Sequence, residues 1–278
     1  MRKGRGSTTA LYVTFARALA HGGITNVVGF ADPTARHMLD PRWLKRVENV
    51  ERRERRGAMF EISKRMADLM ALRTMTIDAH VRAAVERGVR QLVILGAGLD
   101  GRAFRMRELA PVDVFEVDHP STQAIKRERV AGLAPNAKSV HFVALDFEHG
   151  SLGAVLEQAG HRAGEPTLWV WEGVVMYLTD EAVRSTLSVV AARSAPSSDL
   201  VIQYNTPEGS DAFSRFVLWL WGEPHVGLRT PEQMSAALTA AGFRPSDDSG
   251  ASDWAARFGS PAPAGNSARR ARIVVGRR

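Results

Sequence analysis

QLVILGAGLDGRAFRMRELAPVDVFEVD, residues Gln91–Asp118, is the stretch on which the fold turns. Its first five residues, Gln91–Leu95, are apolar, partly β-branched and too few for a helix, and they stop at Gly96. That pattern predicts a buried strand. A glycine-rich turn follows (Gly96-Ala97-Gly98-Leu99-Asp100-Gly101), then a short helical segment, then a second apolar run at Asp113–Val117 closing on Asp118. A glycine turn that leaves a strand and opens a helix is a nucleotide-cradling device. Glycine lets backbone come close to a ligand, and a helix start offers unpaired N–H groups.

Downstream the alternation continues. Strands are expected at Gln91–Leu95, Asp113–Val117, Ser139–Ala144, Pro166–Trp171 and Asp199–Gln203, with helices opening near Gly101, Ser121, Ser151 and Asp180. Repeated strand–helix units give a parallel sheet with ligands at the carboxyl ends of its strands. A helix at Pro231–Ala241, a strand at Phe243–Ser246, a Pro/Gly/Ser/Ala-rich loop over Ser249–Ser267 and a strand at Ala271–Val275 complete the chain. The fold class expected is α/β, a doubly wound Rossmann-like sheet of seven mostly parallel strands.

Upstream, residues 1–90 read as a helical region or cap, and 91–278 as the nucleotide-binding domain. An aromatic lid is expected near 206–229, carrying Phe213, Phe216, Leu218, Trp219 and Trp221. A long helix over Ala58–Arg87 places Ile62, Met66, Leu69, Ile77, Val81 and Val85 on one stripe. Arg73 interrupts that stripe. A guanidinium on a buried face requires a carboxylate or phosphate partner.

The chain has 278 residues, 45% apolar and 24% charged, and a net charge of +7. It is long enough for one sizeable core, and no apolar run reaches the ~18 residues of a membrane span. The absence of cysteine removes thiol nucleophiles and thiolate metal sites, and cytoplasm is the default compartment. The densest basic run, Arg42–Arg56, interleaves Glu48, Glu51 and Glu54, and Glu48–Arg52 and Glu51–Arg55 fall at i,i+4 spacing. That is a solvated helix face rather than a nucleic-acid module.

Gly96-x-Gly98-x-x-Gly101, with Glu116 twenty residues after Gly96, matches a dinucleotide fingerprint. Against NAD stand Asp100, a carboxylate where a pyrophosphate would pass, and the 90 residues that precede the strand. A third objection is the recurrence of acids after successive strands: Asp100, Glu116 with Asp118, Asp146 and Glu172. A ring of carboxylates suits a cationic ligand, and S-adenosylmethionine, with its sulfonium, ammonium and ribose diol, fits it.

VRQLVILGAGLDGRAFRM, VFEVDHP, ALDFE and VWEGVVMYL resemble class I S-adenosylmethionine-dependent methyltransferases. With ALRTMTIDAHV and the early FARALAHGG…FADPTARHML, the resemblance narrows to the leucine carboxyl methyltransferase family and its bacterial branch of O-methyltransferases linked to polyketide biosynthesis. It spans roughly Leu11–Leu178. The resemblance implies that Arg73 grips the donor's carboxylate and that Gly96 and Gly98 admit its methionine portion. Asp118 binds the ribose, with Glu116 on the same strand face as second candidate. Asp146 and Phe147 frame the adenine, and Glu172 lies near the ammonium. Gly101 departs from the family, which usually has a hydroxyl residue there.

The reaction implied is O-methylation of a carboxylate or hydroxyl on a small polyketide-like molecule. A carboxylate needs no general base; an alcohol does, and His225, His119, Tyr177 and Tyr204 are the candidates for acceptor chemistry. No metal-ligand spacing is present, so no metal is expected. The alternatives are an NAD-dependent oxidoreductase using the GxGxxG turn and a catalytically silent binding module. Nucleic-acid methylation lacks its usual box after the fourth strand, where Glu172-Gly173-Val174-Val175 stands. A small-molecule acceptor is the expected partner, with neither nucleic acid nor membrane involved.

Overall fold

The computed structural model of the chain describes residues 8–52, 57–146, 150–208 and 226–278. Its centre is the predicted strand β1 (Gln91–Leu95), every residue of which is buried. β1 lies parallel between β2 (Asp113–Asp118) and β4 (Thr167–Trp171), pairing Leu95 with Val117 on one side and with Trp171 on the other. β3 (Ser139–Ala144) extends the sheet beyond β2, and β5 (Asp199–Asn205) beyond β4. Two late strands, β6 (Arg244–Gly250) and β7 (Ala271–Arg277), complete the order β3-β2-β1-β4-β5-β7-β6. β7 inserts antiparallel between β5 and β6. The seven-stranded, mostly parallel α/β sheet is the expected fold class.

Strands covered on both faces become continuous apolar runs whose alternate residues enter different cores. One face carries Leu92, Ile94, Val114, Leu168, Val170 and Val201, and packs on α1 (Thr8–His21), α3 (Ala58–Glu86) and α9 (Ala251–Arg257). The opposite face carries Val93, Leu95, Phe115, Val117, Trp169 and Trp171. It packs on α6 (Leu152–Gln158), α7 (Asp180–Ala192) and α8 (Pro231–Ala240). The N-terminal region is therefore a layer of the sheet's own cover. The remaining helices are α2 (Pro41–Arg52), α4 (Arg102–Arg105), α5 (Pro120–Val130) and α10 (Asn266–Arg270).

α3 ends one residue earlier than predicted, and Gly88 follows it with φ +98°, the left-handed conformation that closes a helix most cheaply in glycine. Its apolar stripe is the expected one from Met66 onward: Leu69, Ile77 and Val81 are buried, and Met66 and Val85 pack against the core. Ile62, in the second turn of α3, is exposed. In α2, Glu48 pairs with Arg52 at 3.2 Å as the i,i+4 spacing requires, while Glu51 reaches Arg36.

The expected loop over 249–267 is overturned in its first half, where α9 forms. Asp253 accepts the Gly250 N–H at 2.8 Å, and Trp254 is fully buried with its indole donating to Ser249. Ala251, Trp254 and Ala255 bury one face at i, i+3, i+4, a signal the surrounding Gly, Ser and Pro masked. β6 and β7 also run past their predicted ends because the antiparallel pair continues through Arg244–Arg277. Among the described residues no helix is long and apolar enough to cross a membrane.

Candidate active site

The carboxyl ends of β1, β2 and β4 meet at the turn Gly96–Gly101. Gly96 has φ +67°, and a Cβ there would stand 2.3 Å from Val174 Cγ2; two independent constraints exclude a side chain. The turn is pinned to β2 by the Gly96 and Ala97 amides, which both donate to the Val117 carbonyl, at 2.8 and 3.0 Å. Gly98, at φ +50°, donates its N–H to Asp118 Oδ2. The other oxygen of Asp118 accepts the His119 amide at 2.6 Å. Asp118 thus stands at the end of β2, partly exposed, in a fixed orientation. Burial raises its carboxyl above the ordinary range despite the two amide donors.

The acids after the strands do not form an unpaired ring, which corrects the expectation from the sequence. Arg102, fully buried at the start of α4, holds two of them, Asp100 and Glu172. Its guanidinium contacts Asp100, reaches Glu172 Oε2 at 2.8 Å and donates from Nε to Asp78 Oδ1 at 2.8 Å. Arg105 takes Asp78 in a two-pronged grip at 2.6 and 2.9 Å. Behind it Arg17 bridges Asp32, at 3.2 Å, and the Leu99 carbonyl, at 2.7 Å. Burial alone would raise the carboxyl of Asp100, yet Arg102, Lys126 and Arg17 hold it at about 2. Glu172 is likewise kept below the ordinary range, burial being outweighed by Arg102 and Arg73.

The anion partner required by Arg73 is Glu172: Nε donates to Oε1 at 2.8 Å, and both side chains are largely buried. This is the only hydrogen bond of Arg73 among the described residues. Asp78, five residues beyond Arg73 on α3, was part of the ALRTMTIDAHV element and is the anchor of Arg102 and Arg105. The two arginines stand at i, i+3 in GRAFRMR, so their shared face was legible. Their shared carboxylate partner Asp78, 24 and 27 residues away, was not.

Glu116 does not share the surroundings of Asp118. It is fully buried and forms an ion pair with Lys126 of α5, Nζ to Oε2 at 2.5 Å. Burial pushes its carboxyl up to about 7. A raised carboxyl stabilises the fold below its unfolded value and loses that contribution as pH rises through about 7. Wild-type unfolding stability is therefore expected to decline between pH 5 and 7.5 by an amount that Glu116→Gln removes, on the order of 1–3 kcal/mol. Urea titrations of both proteins across that range measure it, and parallel pH profiles would contradict the assignment.

Among the remaining candidates, Asp146 is half-buried just past β3, while Phe147 and His225 lie outside the described residues, as does most of the expected lid. His119 caps α5, its ring nitrogen 2.8 Å from Ser121 Oγ. Tyr177 is half-buried in the 3-10 turn Val175–Tyr177 beyond β4. Tyr204 is removed from the crevice: it is fully buried and donates its hydroxyl to Asp248 of β6 at 2.7 Å. Burial and the neighbouring carboxylate raise that phenol well above its ordinary value, which makes it a structural hydroxyl.

The third glycine of the GxGxxG pattern has a local cause. A Cβ on Gly101 would stand 2.0 Å from Thr34 Oγ1, so the glycine makes room for a hydroxyl arriving from the N-terminal region. Thr34 donates that hydroxyl to Asp32 at 2.6 Å. The helix after the turn has only four residues, and Asp100 Oδ1 already accepts the Arg102 amide at 2.7 Å. A carboxylate occupies the place where a dinucleotide fold presents N–H groups to pyrophosphate.

The profile described as leucine carboxyl methyltransferase matches residues 10–191, well over half of the chain. The chain belongs to the leucine carboxyl methyltransferase family. A "Putative S-adenosyl-L-methionine-dependent methyltransferase" of Mycobacterium marinum is 35% identical over 201 residues, 70% of this chain and 64% of its own length. A Parafrankia protein of the same description is 38% identical over 149 residues, 53% of this chain and 47% of its own. The chain thus spans about half to two thirds of the curated relatives it matches. Among solved structures, a "putative methyltransferase" from Thermobifida fusca covers 100% of this chain and 96% of its own at 16% identity, with a TM-score of 0.63. Magnesium protoporphyrin IX methyltransferase from Synechocystis, solved with bound SAH, covers 89% of this chain and 100% of its own at 13% identity and a TM-score of 0.52. At these identities the structural likeness is one of fold. Both curated relatives are named for S-adenosylmethionine, and neither for a nicotinamide dinucleotide.

Proposed function

We propose that this protein is an S-adenosylmethionine-dependent O-methyltransferase acting on a carboxylate or hydroxyl of a small polyketide-like molecule. The observation that carries the reading is one juxtaposition at the strand ends. A partly exposed carboxylate, Asp118, stands two strands away from a paired cation and anion, Arg73 and Glu172. Two inter-strand spacings, about 10 Å, separate a diol acceptor from a zwitterion partner. An amino-acid head group presents carboxylate and ammonium side by side, and Arg73 with Glu172 presents their complements.

When bound, S-adenosylmethionine supplies an electrophilic methyl on a sulfonium. Asp118 takes the ribose hydroxyls in charge-assisted hydrogen bonds, Asp146 faces the adenine, and Arg73 and Glu172 hold the amino-acid end. Gly96 and Gly98 leave the crevice floor bare of side chains. The remaining work is positioning and the exclusion of water. A carboxylate acceptor arrives ionised at pH 7 and requires no base. For a hydroxyl acceptor, Tyr177 is the described candidate beyond β4, with His225 the candidate outside the described residues. The aromatic stretch at Phe213–Trp221 favours a small apolar acceptor.

Calorimetric titration tests the donor assignment. Micromolar binding of S-adenosylhomocysteine with no heat from NADH is the expected outcome. Binding of NADH in its place would return the GxGxxG turn to its dinucleotide reading, and methyl transfer to a panel of aromatic and polyketide acids and phenols then separates enzyme from silent module.

A further inference from the structure

A second concavity opens at the opposite end of the sheet, where the parallel strands begin. Its volume is about 720 Å³, and Arg87, Arg244, Arg277 and Arg278 line it together with Asp199. Four arginine side chains face one carboxylate side chain. Arg87 pairs with Asp199, and Arg277 Nε lies 3.8 Å from the same group. Arg278 donates to the Ala191 carbonyl. Arg244, exposed on β6, makes no hydrogen bond or ion pair among the described residues. Like charges gathered around one acid repel unless a further anion joins them.

Two other features single out this place. Ser197, in the same lining, holds φ +68° and is the only non-glycine residue with positive φ among the described residues. Its amide donates to the Arg278 carbonyl at 2.8 Å, so the strained turn holds Arg278 beside the pocket. Backbone strain at a non-glycine position persists where the surroundings impose it, and such positions gather at ligand sites. The floor and walls are partly apolar, from Val89 and Pro166. A concavity of this size with convergent guanidinium groups matches a small-molecule site rather than a flat polyanion track.

We propose that this pocket binds a compact phosphorylated anion, with at least two phosphate-like charges, at a site separate from the methyl-donor crevice. The planar fork of arginine grips phosphate oxygens in pairs, and Asp199 orients Arg87 and Arg277 without neutralising the group. One strand length, about 17 Å, separates the two sites. Occupancy of one therefore leaves the residues of the other untouched.

The test uses the full-length protein with pyrophosphate as probe and sodium chloride at matched ionic strength as control. Pyrophosphate at ten times its Kd is expected to raise Tm by about 2–4 °C, with little change in chloride. Arg244→Gln and Arg277→Gln, both at exposed positions, are each expected to weaken pyrophosphate binding at least fivefold while leaving S-adenosylhomocysteine affinity unchanged. An equal response to chloride, or undiminished pyrophosphate binding in both variants, overturns the proposal. Retention of a duplex oligonucleotide without any pyrophosphate response overturns it as well, in favour of a nucleic-acid surface. Because S-adenosylhomocysteine binding is measured separately, failure here leaves the methyl-donor reading intact.

Discussion

Arg102→Met is expected to lower unfolding stability by about 3–5 kcal/mol, the usual cost of removing one partner from a buried ionic cluster. Arg102 is fully buried and holds three carboxylates at once: Asp78, Asp100 and Glu172. In the variant Asp78 keeps Arg105 and Glu172 keeps Arg73. Asp100 keeps no direct ion partner, so most of the loss falls on it. The sign of the pH dependence follows. In the wild type burial would raise Asp100, but its cationic neighbours hold it at about 2. A lowered carboxyl contributes stability above its unfolded value, near 3.8, that disappears as pH falls through about 2. Without Arg102, burial prevails and the carboxyl rises, so the stability difference between the proteins is largest near pH 7 and narrows towards pH 4. Urea unfolding at both pH values measures it. A variant as stable as wild type at pH 7 would mean that the cluster's desolvation cost equals its attraction.

The central strands were legible because they are buried on both faces. Gln91–Leu95 announces itself as an apolar run between Arg90 and Gly96, and it forms at its predicted ends. α9 was hidden because alanine and a lone tryptophan carry its buried face among loop-forming neighbours. The site divided in the same way. Arg73 required an anion on the physics of burial alone, and it has one. Asp118 and Glu116 share a strand face, and periodicity gave them equal standing. α5, folding back to place Lys126 on Glu116, separates their surroundings. Long-range pairings of this kind depend on where helices land, which local pattern does not encode. Gly101 is the clearest case, because Thr34, whose hydroxyl fills the space a side chain there would need, lies 67 positions upstream.

Asp118→Ala is expected to reduce S-adenosylhomocysteine affinity by about 100-fold or more. The wild-type carboxylate spends one acceptor position on the Gly98 amide and one on the His119 amide. Each oxygen retains capacity for a ribose hydroxyl, and a hydrogen bond to a charged group contributes about 1.5–3 kcal/mol. Losing two corresponds to a factor of at least 100 in Kd. The substitution also releases the Gly98 amide, which is a separate, structural effect. Asp118→Asn distinguishes the two, since its remaining carbonyl oxygen can still accept from Gly98 while the charge and one acceptor are gone. Affinity lost in both variants, with Tm of the Asn variant within about 3 °C of wild type, locates the ribose on the carboxylate. Affinity recovered in Asp118→Asn would show that the residue acts only by holding the glycine turn. Glu116→Gln supplies the internal control: with its carboxyl buried on Lys126, it is expected to leave the same Kd within about threefold.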